Sequence, residues 1–543
     1  MNALTVLYGG SLTGAAYEAC FDGRNALSLA LERAASFSGV TRTVLLAGEA
    51  DPFLEKALCN QEFLSNRGSE QFAIVKAKTW TQKSLLDALA SLSRGYDLTY
   101  FVWADAPFLD PALADAIAAR HCRYAAEYSY AEGWPYGFAP ELLSPGTAGI
   151  LSKILGGNDG PLERDALFQV LQKDINAFDI ETEISPVDLR GYRLSLTADT
   201  RRNLLLCTRF ALAAGRLAGD AGSGGQSIPR AADVQALING GQEMLRTLPA
   251  YYNIQVSGPC PQTCSFCPYP QFGRIGEQPV TERTGFMEPG LFEELLDRIA
   301  AFSGDAVISL SLWGELGLHP QKMDLVRAVL TRPSLSLVIE TSGIAWKDEE
   351  LSAAAALAAE AGKGDRTIAP LSWIVSLDAK NPDHYRQVRG PGYAEAAACA
   401  KKLMELFPAD TYVQALRMKG LEDEIEQFYR SWKDAGGRVI IQKYDHFCQM
   451  LPAKAASDLS PVKRRPCWHL LRDMTVLLDG QVPCCREDLG ALQGRNVKSV
   501  LGNVFSESLE TIWERGMAPY REHCRGEYGL LCAECDEYYT YNF

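Results

Sequence analysis

The sequence predicts an α/β protein with two successive parallel-sheet parts and a small cysteine-rich end. Three observations carry this expectation. Short apolar, β-branched or aromatic runs alternate with helix-like segments through most of the chain. A Gly/Ser-rich stretch at 219–227 interrupts the alternation. Of the 15 cysteines, all but Cys20, Cys59, Cys122 and Cys207 lie at or after Cys260. At 543 residues the chain is too long for one core. The expected parts are 1–217, a flexible linker at 218–230, a central part at 231–460, and 461–543.

Bulk composition narrows the function classes. A formal charge of −14 argues against a general nucleic-acid or membrane-surface binder, which would carry basic patches. No apolar run is long enough to span a bilayer. The first seven residues lack the basic segment and apolar stretch of a signal peptide, so a cytoplasmic location is expected. Cysteines in a long chain of this kind do not read as a disulfide framework. The four scattered early ones read as small buried hydrophobes.

In the first part, strands are expected at 5–8, 43–46, 72–75 and 98–103, with helices at 26–36 and 82–92. Gly9 and Gly10 follow the first strand, with Gly14 shortly after. Such a turn lets backbone N–H groups approach phosphates, and equally suits any tight strand-to-helix connection. Asp105 ends the fourth strand and Asp199 ends a later apolar run. Aspartates so placed suit Mg²⁺ with a nucleotide phosphate. In this order the features resemble nucleotidyltransferases of the GT-A type, such as cytidylyltransferases for acidic sugars. That resemblance implies a Rossmann-like GT-A sheet, Gly9 and Gly10 against a nucleotide, and Asp105 and Asp199 on the metal. One departure stands out. The family flanks its glycine loop with basic residues, whereas 11–17 carries none and Arg24 is the nearest candidate. Phosphoryl transfer relies on positive charge against the phosphates. Two readings follow: a domain that binds a nucleotide without transferring it, or a degenerate domain kept for docking.

Beyond the linker, 233–245 reads as a helical lead that Gly240-Gly241 can break. Strands are then expected at 252–256, 307–312, 335–340, 373–377, 412–416 and 439–442. Helices follow at 290–302, 322–331, 348–360, 382–406 and 422–435. The repeat predicts a partial (β/α)6 barrel of the TIM type, with its chemistry at the carboxyl ends of the strands.

The loop after the first of these strands carries Cys260, Cys264 and Cys267. Three thiolates on one short loop can hold three irons of a [4Fe–4S] cube and leave one iron open, whereas electron carriers close the cube with a fourth cysteine. Zinc is the rival, but zinc sites use paired C-x2-C units and four ligands, and Cys260 sits outside such a pair. The spacing, with aromatic Phe266 before the last cysteine, resembles the signature of the radical S-adenosylmethionine (SAM) superfamily. The resemblance implies that SAM chelates the open iron and that one electron splits it to a 5′-deoxyadenosyl radical, which takes hydrogen from a substrate.

Later strand ends extend the likeness. Trp313-Gly314-Glu315 resembles the family's Gly-Gly-Glu motif with tryptophan in the first place. It implies Gly314 and Glu315 at the methionyl ammonium. Glu340-Thr341-Ser342-Gly343 resembles a further family loop, or is a plain turn. Ser376-Leu377-Asp378 implies Ser376 and Asp378 near the ribose. Arg389 is implied for the methionyl carboxylate, with Arg386 its rival and a solvated helix face the bland alternative. Gln414, Arg417, Gln442 and Lys443 end the last two strands without assigned roles, and no residue is named as catalytic.

Near the end of the chain, Cys467, Gly480 and Cys485 give C-x12-G-x4-C, and Cys532 and Cys535 give C-x2-C. These resemble part of the SPASM pattern, in the shortened form called a twitch domain. That form implies one auxiliary [4Fe–4S] cluster on Cys467, Cys485, Cys532 and Cys535, with Cys484 a substitute for Cys485 and Cys524 a spare. A zinc ribbon on the same thiolates is the rival. The order of the three parts looks like that of the spirochaete spiro-SPASM proteins. It implies a radical SAM enzyme acting on a peptide or a sugar-like or nucleotide-linked small molecule. A low-potential donor such as flavodoxin or ferredoxin is implied as partner, with no nucleic acid and no membrane. Two other readings remain: a Mg²⁺-dependent nucleotidyltransferase with a C-terminal iron–sulfur or zinc-held module, and a zinc-held binding protein.

Overall fold

The computed structural model describes the chain except residues 60–70, 158, 161, 219–224, 273–284, 365, 367, 489–499 and 541–543. Most of the Gly/Ser-rich stretch thus lies outside the described residues, as do the last three residues of the aromatic terminus. The chain divides into two compact units, Met1–Met244 and Leu245–Phe543. Among the described residues no helix is long and apolar enough to cross a membrane.

The first unit is built on one mixed sheet. Its strands are β1 (Ala3–Gly9), β2 (Val40–Gly48), β3 (Phe72–Ala77), β4 (Leu98–Trp103), β5 (Tyr128–Glu132), β6 (Glu141–Leu143) and β7 (Ile180–Ile184). Their order across the sheet is β3-β2-β1-β4-β6-β5-β7. Only β6 runs antiparallel to its neighbours. The central strands β1 and β4 are buried along their whole length, as continuous apolar runs with helices on both faces should be. The four expected strands are present; β5 to β7 are short and were not foreseen. Helix Gln82–Leu92 starts at a Thr81 capping box, and helix Pro111–Tyr124 at an Asp110 cap with proline in its first turn.

The division between units falls later than the low-complexity stretch. Residues 225–244 pack with the first unit: Ser227 N–H donates to Ala211 O at 3.0 Å, and Ala231 N–H to Asp110 Oδ2 at 2.7 Å. The helical lead is split, with helix Val234–Gly240 ending where Gly241 adopts a non-helical conformation.

The second unit contains an all-parallel curved sheet. It comprises β8 (Tyr251–Ile254), β9 (Ala306–Ser309), β10 (Leu335–Thr341), β11 (Leu371–Ser376), β12 (Thr411–Arg417) and β13 (Arg438–Lys443). A seventh strand, β14 (Asp473–Val476), adds in parallel beside β8. The order is β13-β12-β11-β10-β9-β8-β14. The sequence reading has only six strands here and ends the central part at 460; β14 crosses that border. The reason is local: β8 is buried throughout, and an unpaired edge there would leave its backbone groups without partners. A hairpin of β15 (Gln481–Pro483) and β16 (Val500–Asn503) follows.

Trp373, at the middle of the fully buried β11, anchors the outer core and meets Trp346 edge-on at 5.0 Å. Trp373→Ala should destabilise the second unit by about 3–5 kcal/mol, read as a lower denaturant midpoint for that unit.

Candidate radical SAM site

The three-cysteine loop leaves the carboxyl end of β8 and is stapled on two sides. Glu315 N–H donates to Pro259 O at 2.9 Å; Thr263 N–H donates to Arg389 O at 3.1 Å and Ser265 N–H to Val388 O at 2.8 Å. Cys260, Cys264 and Cys267 thereby line one cavity of about 240 Å³. Burial pushes the Cys260 thiol up to about 12, and raises those of Cys264 and Cys267 too. Such thiols stay protonated until a metal centre supplies compensating charge.

Gly314 holds φ +94°, and a Cβ there would collide with Ser257 O, so only glycine lets this turn lie against the cysteine loop. Trp313, in the place of the motif's first glycine, is left-handed as well, at φ +40°. Its ring stacks on Tyr269 at 5.8 Å and leans on Phe447 at 5.7 Å, forming an aromatic wall to the cavity. Glu315 lines the cavity but is already engaged. Oε1 accepts from Thr341 Oγ1 at 2.6 Å and Gly317 N–H at 3.1 Å, and Oε2 from Ser342 N–H at 2.8 Å. Its carboxylate ties the β9 and β10 ends together and has one acceptor site left.

Asp378 and Arg389 form a buried ion pair, with exposures of 3% and 7%. Asp378 Oδ1 also accepts from Leu416 N–H at 2.7 Å. Burial opposes the Arg389 charge, but Cys264 and Asp378 outweigh it and hold the guanidinium protonated. Its ring neighbour is Phe266, 5.6 Å away. Arg389 lines the cavity and Arg386 does not. Ser376 Oγ donates to Glu340 Oε1 at 2.9 Å, and Gln414 Nε2 to the same oxygen at 2.8 Å.

A ring of polar residues, of which sequence reasoning gave a role only to Ser376, lies below this rim. Asn253, Ser309, Glu340, Ser376, Gln414 and Gln442 all line the cavity, one from each strand β8 to β13. The signal was a polar residue at or past the middle of each run. Lys443 closes the cavity at one side, paired with Asp536 at 2.8 Å and with Glu537.

A second, smaller cavity of about 40 Å³ is lined by Cys467, Cys484, Cys485, Cys532 and Cys535, together with Cys448. Both Cys484 and Cys485 reach it, so both remain candidates. Cys524 lies beside Tyr520, outside that lining. Among the described residues no three thiols lie within 4.8 Å of one another; the one such group of possible ligands is Asp445, Asp536 and Glu537. A single tetrahedral Zn²⁺ needs its sulfurs closer than that, whereas a cube spreads its ligands over four corners. Both cysteine sets fit clusters better than zinc.

In the first unit, Gly9, Gly10, Asp105 and Asp199 come together at the carboxyl end of the sheet. Ala104 N–H donates to Tyr8 O at 2.9 Å, Ala198 N–H to Asp105 O at 2.8 Å, and Thr13 Oγ1 to Asp199 O at 3.0 Å. Yet Arg164 occupies the space between the carboxylates. It contacts Asp105 at 3.1 and 2.6 Å and Asp199 at 2.8 Å, and its guanidinium lies over Trp103 at 5.0 Å and Tyr136 at 5.3 Å. Burial raises the Asp105 carboxyl; for Asp199, Arg164, Asn203 and Thr197 outweigh burial and lower it. With the guanidinium there the pair does not fit Mg²⁺. Gly10 is explained by packing, since a Cβ would strike Trp80.

Comparison with known proteins agrees with the geometry of the second unit. The Radical SAM superfamily model matches residues 254–431. The chain belongs to the radical SAM superfamily. The SPASM model, an iron-sulfur cluster-binding domain, matches residues 467–536. An uncharacterized protein of Treponema pallidum (strain Nichols) is 38% identical over 384 residues, which is 69% of this chain and 98% of that protein. A second uncharacterized protein from the same organism is 35% identical over 65 residues, 12% of this chain and 30% of its own. Among solved structures, BtrN with AdoMet and 2-DOIA is 19% identical with a TM-score of 0.33, covering 53% of this chain and 93% of BtrN. Streptococcus suis SuiB bound to the precursor peptide SuiA is 13% identical with a TM-score of 0.38, covering 58% and 77%. A cytidylyltransferase from Leptospira borgpetersenii is 15% identical with a TM-score of 0.34, covering 45% and 95%. These three likenesses are too loose to bear on function. The protein is thus an enzyme of the radical SAM type, and its family cofactors are a [4Fe–4S] cluster, SAM and auxiliary iron–sulfur.

Two outcomes follow from the ion pairs. Arg389→Ala should leave Asp378 buried without its partner and cost about 3–5 kcal/mol, with loss of cluster loading measured as iron per chain. Arg164→Ala should open a divalent site between Asp105 and Asp199. Mn²⁺ titration followed by electron paramagnetic resonance should then show one more bound ion than in wild type, lost again on adding Asp105→Asn.

Proposed function

We propose that Cys260, Cys264 and Cys267 hold the [4Fe–4S] cluster that cleaves SAM, and that the enzyme oxidises a small, hydroxyl-rich substrate. The observation that carries this reading is one cavity shared by the three thiols and six polar side chains, one from each barrel strand. When bound, cluster and SAM supply the electron and the radical chemistry. The chain's own residues supply the rest. Three thiolates leave one iron for the methionyl group. Glu315 offers its remaining acceptor site to the ammonium, and Arg389 its cation to the carboxylate. Ser376, with Glu340 and Gln414, offers donors and acceptors to hydroxyl groups; Asp378 serves chiefly to fix Arg389, since both its oxygens are engaged. The aromatic wall of Trp313, Tyr269 and Phe447 keeps water out. A peptide side chain is the competing substrate, and the polar ring favours a sugar-like one.

We further read Cys467, Cys485, Cys532 and Cys535 as ligands of an auxiliary cluster that accepts the second electron, with a flavodoxin or ferredoxin donating the first. In domain terms, 1–217 is read as a nucleotidyltransferase-like sheet that has lost transfer, 231–460 as the barrel and 461–543 as the auxiliary domain. Arg164 in the metal's place supports binding or docking over nucleotidyl transfer.

Anaerobically reconstituted protein, reduced with dithionite in the presence of SAM, should release 5′-deoxyadenosine. Cys264→Ala should abolish that release and lower iron by about one cube, or about four atoms per chain. Release that survives in the variant would defeat the assignment.

A further inference from the structure

Asp445 belongs to no motif, yet it lines the cavity of the three-cysteine loop, just past the end of β13. It is 9% exposed. Oδ1 accepts from Phe447 N–H at 2.7 Å. Oδ2 is buried and accepts no hydrogen bond among the described residues. Arg486 Nη2 stands 3.8 Å from it, beyond hydrogen-bond reach. A buried carboxylate oxygen left unpaired is costly and calls for an explanation.

The other charges around the cavity are already engaged. Arg389 pairs with Asp378. Lys443 bonds Asp536 at 2.8 Å and also Glu537. Arg486 bonds Glu487 at 2.9 Å and lies 3.7 Å from Glu537. Among the described lining residues, every lysine and arginine thus has a carboxylate, and none is left for a phosphate. The excess is negative. Asp445, Glu487, Asp536 and Glu537 share a wall with Lys443 and Arg486 as its cations. His446 Nε2 lies 3.3 Å from Asp536, but its Nδ1 accepts from Gln449 N–H, so the ring adds no full charge. Of those four carboxylates, Asp445 alone lines this cavity. Burial, with Glu487 and Glu537 near, pushes its carboxyl up, as befits a carboxylate short of counter-charge.

We propose that Asp445 Oδ2 receives a primary ammonium group of the substrate, which is therefore a small hydroxyl-rich compound bearing an amine. This rests on reading the cavity as the SAM and substrate site. Glu315 is the group read for the methionyl ammonium of SAM, which leaves Asp445 to the substrate. One open oxygen suits one N–H donor; a guanidinium would engage both oxygens, and Oδ1 is held by the backbone. Phe447, two residues on, begins the aromatic wall with Trp313 and Tyr269, and ring faces attract an ammonium. A neutral polyol would satisfy Ser376, Glu340 and Gln414 but leave Asp445 unmet.

The test uses full-length, anaerobically reconstituted protein with SAM bound and unreduced. Calorimetric titrations compare glucosamine with its amine protonated, glucose, glucose 6-phosphate and N-acetyllysine amide, in wild type and in Asp445→Asn, which keeps Oδ1 for Phe447 N–H. Glucosamine should bind at least about tenfold more tightly than glucose or glucose 6-phosphate, and Asp445→Asn should erase that preference. The variant should match wild type in iron per chain and in affinity for SAM, and should melt no lower. Equal binding of glucose, a preference that survives in Asp445→Asn, or no binding of any probe to iron-loaded protein would overturn the proposal. A lower melting temperature would make Asp445 structural, and weaker SAM binding would assign it to SAM; either overturns it. Binding of N-acetyllysine amide alone would uphold the ammonium contact and defeat the hydroxyl-rich reading. Wild type that neither loads iron nor releases 5′-deoxyadenosine on reduction would defeat the SAM-site reading, and the proposal with it; iron and nucleoside assays separate that failure from the others.

Discussion

Arg389 and Asp378 meet where almost no water reaches, and the geometry around the cysteine loop depends on their pairing. The two charges offset each other's desolvation only while both are present. Each also spends its remaining groups on the backbone of a different element. Arg389 O receives Thr263 N–H from the cysteine loop, and Asp378 Oδ1 receives Leu416 N–H from β12. One ion pair thus holds the loop after β8 against the ends of β11 and β12. Asp378 itself takes a left-handed φ of 61° to do so, a conformation aspartate tolerates better than most residues.

Around that pair the second unit arranges three zones. Three buried or half-buried thiols sit at the rim, a ring of polar side chains lies inside the curve of the sheet, and an ionic group of Lys443, Asp536 and Glu537 stands beside the second set of thiols. Glu537 also lies 3.7 Å from Arg486, which follows Cys485 directly. Charged groups so placed are neutralised among themselves, which lets them stay in a poorly solvated wall. The thiols of the cysteine loop are held in their neutral form by burial instead.

The first unit shows the opposite situation. Its two aspartates stand at strand ends suited to a divalent ion, but the cation between them is a side chain of the same chain. A guanidinium sandwiched by two aromatic rings and two carboxylates is a well-satisfied structural element. Sheet and carboxylates stand there without a free place for a divalent ion between them.

By itself the sequence determined those features that lie close together along the chain. The three cysteines, the glycine and glutamate after β9, and the alternation of strands and helices all depend on spacings of a few residues, which covalent geometry converts directly into proximity. Only the tertiary structure decided the rest. Arg164 reaches Asp105 across 59 positions, and Lys443 reaches Glu537 across 94. The polar ring joins one residue from each of six strands, and β14 pairs with a strand more than two hundred residues earlier. Such meetings are set by which strands become neighbours and how the sheet curves, and these are settled by burial of whole faces rather than by any local pattern.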